Sequence, residues 1–201
     1  TDAAQVEAGR SVAAMTSLTD LAPTFLAAAG VEAPAVMTGQ SLLPWLSGPK
    51  TAGRQFVVLG RERHTPAQKM PSLDGYPSRA LRSDDWLLIL NLEPERWPAG
   101  VPEGATHPMS KHSDCDNGPT KSRITADRET EDGARYYALC FGKRPAVELY
   151  NTRTDPDQVK NLAPDPKYRK LVLKLRQLLV AELKRTNDPR FLADEPAPFD
   201  G

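Results

Sequence analysis

Arg61, Glu62, Arg63 and His64 are four consecutive residues able to do chemistry, and they follow directly on the apolar run Phe56-Val57-Val58-Leu59 and Gly60. Guanidinium groups match the planar geometry of carboxylates and sulfates, and an imidazole donates to a sulfate or hydroxyl oxygen. A strand ending in such a cluster delivers it to a ligand, so His64, Arg63, Arg61 and Glu62 are the candidate substrate-binding residues, His64 foremost and Glu62 last. By themselves they also read as a solvated charged turn, with Glu62 paired to a neighbouring arginine for little gain. Tyr76, Arg79 and Arg82 are further potential anion contacts, but strand alternation puts the two arginines on opposite faces, so at most one serves a common site. His107 and His112 have no metal-like spacing and read as exposed. Trp86, ahead of an apolar run, reads as buried against a sheet, whereas Trp97 could stack on a sugar ring.

Positioning such a loop requires a core. The 201 residues are 39% hydrophobic, enough for one generous domain or two small ones. Lys and Arg number 26 against 26 Asp and Glu, so no global field favours nucleic acid or an anionic membrane, and any anion specificity must be local. No apolar run approaches the ~18 residues of a membrane span, and residues 1 to 20 have no signal-peptide pattern. Cys115 and Cys140 lack zinc-ligand spacing; free thiols and a disulfide both remain open.

Residues 19–30 read as a short helix, with Thr19 or Asp20 as cap, Pro23 in the first turn, Leu21, Phe25 and Ala28 on one face, and Gly30 as terminator. A short amphipathic turn, Thr38 to Gly48, precedes a boundary near residue 50. Beyond it, FVVLG, RALR with WLLIL across a polar SDD turn, ARYYALC and AVELYNT read as strands of an antiparallel sheet of about four strands. Residues 94–134, rich in Pro, Gly and charge, read as a long irregular insertion. Asp165 caps a last helix over residues 166–185, which should bury Leu171, Leu175, Leu178 and Leu179 against the sheet.

Three separated stretches resemble one family. SLTDLAPTFLAAAG with TGQSLLPWLSG is similar to the segment closing the large α/β domain of type I, formylglycine-dependent sulfatases. ELYNTRTDPDQVKNLAPDPKYRKLVLKLRQLL is similar to their C-terminal signature. Between them, GRERH, GYPSRALRSDDWLLILN and the closing TNDP look most like the branch that includes heparan N-sulfatase (sulfamidase). The resemblance implies an α+β C-terminal subdomain of an alkaline-phosphatase-like sulfatase over residues 51–201, preceded by the end of the α/β catalytic domain over residues 1–50. It implies a hydrolase of sulfate esters or N-sulfates on a glycosaminoglycan-like carbohydrate, secreted or periplasmic, with partners limited to that saccharide and the N-terminal catalytic part of the same protein.

The family's nucleophile, a formylglycine within Cys/Ser-x-Pro/Ala-x-Arg, and its calcium ligands are expected in that N-terminal part. Cys140-Phe-Gly-Lys-Arg144 has Gly142 where Pro or Ala belongs and lies beside the C-terminal strand, so Cys140 is not expected to be converted. This chain therefore carries no catalytic or metal-binding residue and should be inactive alone. The alternatives are a phosphodiester or phosphonate hydrolase of the same superfamily and a non-catalytic carbohydrate-binding α+β module.

Overall fold

The computed structural model describes residue 9 and residues 11–47, 53–62, 64–104 and 111–192. The chain forms two compact units, residues 1–58 with 82–84, and residues 59–81 with 85–201. In the first, a 3-10 turn, Leu18–Asp20, runs into helix α1, Leu21–Ala28. Asp20 stands at the N-cap position of α1 without a side-chain cap there, and the capping bonds form at the 3-10 turn, where the Ser17 hydroxyl accepts the Thr19 N–H while Asp20 Oδ2 accepts the Ser17 N–H at 2.8 Å. Asp20 is fully buried; its other oxygen accepts the Gln40 N–H at 2.8 Å and pairs with Arg54. Gly39 permits this approach, because a Cβ there would lie 2.0 Å from the Thr19 carbonyl oxygen. Thr24 Oγ1 accepts the Leu42 N–H at 2.8 Å just ahead of helix α2, Leu43–Ser47, in which Trp45 is buried. Apolar side chains nonetheless face outward, with Leu18 86%, Phe25 67% and Val36 88% exposed.

Strands β1 (Phe56–Arg61), β2 (Ser78–Ser83), β3 (Trp86–Asn91) and β4 (Val147–Asn151) form one antiparallel sheet in the order β1-β2-β3-β4. Asp84 and Asp85 make the tight β2–β3 turn. Leu88 pairs with Leu149 and Ile89 with Glu148, so alternation separates an apolar face from a polar one bearing Asn91, Glu148 and Tyr150. Helix α5, Arg169–Arg185, packs on β3 after Asp165 caps the preceding turn by accepting the Lys167 N–H at 2.9 Å. Trp86 is half-buried rather than buried, its ring 5.8 Å from that of Tyr168.

Residues 134–140, expected as a strand, belong instead to helix α4, Glu131–Phe141, which follows helix α3, Pro119–Ala126. Thr130 Oγ1 caps α4 by accepting the Gly133 N–H at 3.1 Å, and Glu131 and Asp132 suit its N-terminal dipole. Capping outweighs the strand preference of the tyrosines, and the supposedly irregular insertion over 94–134 contains all of α3 and the start of α4. His112, expected to be exposed, is 1% exposed. Its Nδ1 lies 3.0 Å from the Gly100 carbonyl oxygen, its Nε2 2.9 Å from the Tyr137 hydroxyl, and its ring stacks on Phe141 at 4.4 Å. Lys121 Nζ fastens the same loop, donating to the carbonyl oxygens of His112 at 2.9 Å and Cys115 at 2.7 Å. His107 lies outside the described residues.

On α5 the buried stripe is Leu175, Leu179 and Leu183, at strict steps of four, whereas Leu171 is half-buried and Leu178 is 37% exposed. Leu179→Ala should therefore destabilise by about 2–5 kcal/mol in chemical denaturation, and Leu178→Ala by well under half as much. Burial, with the positive charge of Lys121 in support, holds the His112 imidazole below its ordinary 6.5 and outweighs the Gly100 hydrogen bond. A His with a depressed folded value contributes stability above 6.5 that is lost as pH falls. Hydrogen exchange of the 99–104 and 111–115 amides, corrected for intrinsic rates, should accelerate from pH 7.5 to pH 5.5 in the native protein and less so in His112→Gln.

Candidate functional site

Arg61 ends β1, and Glu62 follows it. Glu62 is not free to meet a ligand. Its carboxylate accepts Arg79 Nη2 at 2.6 Å and Arg190 Nη2 at 2.8 Å. Arg79 also donates to both oxygens of Asp188, at 2.6 and 3.1 Å, and to the Arg61 carbonyl oxygen at 3.1 Å. The side chains of Arg79 and Arg190 are 6% and 5% exposed, so this is a four-charge network shielded from water. Burial opposes the Arg79 charge, but Asp188 and Glu62 outweigh it and hold the guanidinium above its ordinary value. Asp188 also caps the turn Pro189–Phe191 by accepting the Arg190 N–H at 3.0 Å. Arg79, suspected of meeting a ligand anion, thus serves two protein carboxylates, and Arg82 spends its guanidinium on the carbonyl oxygens of Ser83 and Asp84.

Arg61 and His64 converge on Asp114, whose side chain is 5% exposed. Asp114 pairs with Arg61 Nη2, accepts the Thr65 N–H at 2.9 Å and has His64 Nδ1 3.4 Å away. Arg61 donates as well to the Pro98 carbonyl oxygen at 2.7 Å. The imidazole is 66% exposed, so Asp114 steadies one ring nitrogen while the ring faces outward. Arg63 lies outside the described residues. Asp114 is the member that sequence reasoning missed: it sits in the supposed irregular insertion and carries no local signal.

Beside Arg61 opens a cavity of about 310 Å³ reaching Tyr76, Asn91, Arg144 and Glu148 on the polar side of the sheet. Arg61 stands 6.0 Å from the Tyr76 ring centroid. Glu148, 5% exposed, is held by Asn91 Nδ2 at 2.7 Å and by the Tyr150 hydroxyl. Burial and the adjacent Glu148 push the Tyr150 phenol well above its ordinary value. Cys115 and Cys140 are both free thiols. Among the described residues no group of three or more His, Cys, Asp or Glu could hold a metal ion, and no helix is long and apolar enough to cross a membrane.

Glu62 and His64 should therefore separate in stability measurements. Glu62→Ala, which strands two buried guanidiniums, should cost about 3 kcal/mol or more. His64→Ala should leave the melting temperature almost unchanged, its ring being largely in solvent. Equal melting temperatures for the two variants would refute the assigned division of labour.

No protein-family model matches the chain. Its sequence is 28% identical to human N-sulphoglucosamine sulphohydrolase, covering 90% of this chain and 34% of that protein. It is 26% identical to an ulvan-active sulfatase of Formosa agariphila, covering 85% of this chain and 29% of that protein. The chain thus spans about a third or less of the length of the curated relatives it matches. Among solved structures, a 2-O GAG sulfatase superposes with a TM-score of 0.52 at 24% identity, over 89% of this chain and 27% of its own. The phosphonate monoester hydrolase of Silicibacter pomeroyi does so with a TM-score of 0.54 at 17% identity, over 90% and 27%. In sequence the chain is similar to sulfatases over most of its length, and it has the fold of the corresponding part of sulfatases and phosphonate monoester hydrolases.

Proposed function

We propose that this chain is the C-terminal part of a sulfatase that hydrolyses sulfate esters or N-sulfates of a glycosaminoglycan-like saccharide, and that its own task is recognition of the sugar. The observation that carries the proposal is that two sulfatases match it in sequence over 90% and 85% of its residues, against a phosphonate monoester hydrolase similar in fold at 17% identity. The exposed Leu18, Phe25 and Val36 suit an element that completes a larger core in the whole protein. His64, beside Asp114 and open to solvent, presents its other ring nitrogen to a sugar hydroxyl or sulfate oxygen, and Arg61 shares the Asp114 anchor. Glu62 holds the loop in place.

Bond cleavage belongs to the N-terminal part. By the resemblance to sulfatases, the calcium and the formylglycine belong to that N-terminal part. When present there, they would supply charge stabilisation and the nucleophile. Secretion or a periplasmic location accompanies this assignment, and residues 1–201 alone should be inactive. The second reading, phosphonate monoester hydrolysis, has the fold comparison in its favour.

The test is turnover by the full-length protein of N-sulfated and O-sulfated glucosamine, a small aryl sulfate and a phosphonate monoester. Preference for the phosphonate would select the second reading. With sulfatase activity established, His64→Ala should lower kcat/KM on the sulfated sugar by about 1.5–3 kcal/mol, the range for a hydrogen bond to a charged group. The loss on the aryl sulfate should be much smaller. Equal losses would move His64 from recognition to chemistry.

A further inference from the structure

We infer that the cavity beside Arg61 is a subsite for one hydroxylated, pyranose-sized ring of a saccharide, recognised through its hydroxyls and not through sulfate, an inference that rests on the saccharide reading above. Its volume of about 310 Å³ is at the lower end of ligand pockets, ~300–1,000 Å³. The charges on its lining cancel, Arg61 and Arg144 against Asp114 and Glu148. No net field therefore selects an anion. What the lining offers instead is donors and acceptors side by side, the pattern that suits hydroxyls, each of which gives one hydrogen bond and takes others. Ile89, Pro98 and Ala99 add apolar surface for the face of a ring.

The cavity is built and not incidental. Glu148 is fixed at its wall by Asn91 and Tyr150, and Asn91 Nδ2 is itself shared with the Pro145 carbonyl oxygen at 2.7 Å. Arg144 is anchored on the Leu139 carbonyl oxygen. Tyr76 is 4% exposed, and its backbone is pinned by the Glu62 carbonyl oxygen, which accepts the Tyr76 N–H at 2.8 Å. Its hydroxyl is nevertheless buried with no hydrogen-bond partner. Such an orphan costs stability in the free protein, and phenylalanine would remove the cost without changing the shape. Burial, then the neighbouring Glu148, pushes this phenol up to about 12, so it remains a proton donor throughout the physiological range. A ring hydroxyl placed between Tyr76 and the lining carboxylates would satisfy the orphan.

Calorimetric titration of the full-length protein tests this with two probes, an unsulfated uronate–glucosamine disaccharide and its N-sulfated form. Tyr76→Phe should raise the melting temperature of the free protein, and both Tyr76→Phe and Arg144→Gln should weaken binding of both disaccharides by about tenfold. Unchanged binding in both variants, no disaccharide binding by the native protein, or losses confined to the sulfated probe would each overturn the inference. So would a lowered melting temperature for Tyr76→Phe, since the hydroxyl would then have a partner within the protein. Turnover of the sulfated glucosamines and the aryl sulfate by the native protein is scored separately: its absence on all of them sinks the sulfatase reading, whereas the titrations judge the subsite alone.

Discussion

The geometry of the loop after β1 depends on one interaction, the pairing of Glu62 with Arg79 and Arg190. A carboxylate this shielded would be a liability if unpaired, and two guanidiniums with 5–6% exposure would be worse. Together with Asp188 they neutralise one another and leave little strain of unmet charge. Because Arg79 also takes the Arg61 carbonyl oxygen, the end of β1 is held at two consecutive residues. Arg61 then reaches Asp114 from a backbone that is itself held. Pre-organisation of this kind lowers the entropy lost when a ligand arrives.

The sheet divides labour between its faces. Leu88 and Leu149 meet directly and are both fully buried, and with α5 they supply stability through Leu175, Leu179 and Leu183. One residue along, the pairing of Ile89 with Glu148 puts a carboxylate on the opposite face, among Asn91 and Tyr150. Period-two alternation thus lets adjacent residues of one strand serve the core and a polar cavity. His112 and Lys121 secure the loop that roofs this side.

Much of the scaffold was legible because local signals agreed. RALR and WLLIL alternate about a turn of aspartates, and Asp165-Pro166 announces the last helix. Its buried face was misjudged by a fraction of a turn, with Leu178 out and Leu183 in, because several leucines lie close enough to compete for the stripe. Helix α4 was missed because Tyr136 and Tyr137 favour strands when read locally, whereas the Thr130 cap and the close fit at Gly133 decide otherwise. The arrangement of the candidate site was half-legible. Arg61 and His64 stood out by type, but the role of Glu62 depends on partners 17 and 128 positions away, and Asp114 is 53 positions from Arg61. Sequence spacing carries no trace of such pairings.

That separation has a consequence for the order in which the molecule is made. A contact across 128 positions closes late, since the loop entropy it must overcome is met only after nearer elements have formed. During synthesis β1 and the hairpin after it emerge well before Asp188 and Arg190, so the segment from Arg61 onward has its charges but not their partners. The loop takes its working shape only when the turn following α5 folds back onto it. On the proposed reading, ligand binding through this loop would thereby report that the C-terminal helix has been completed and docked.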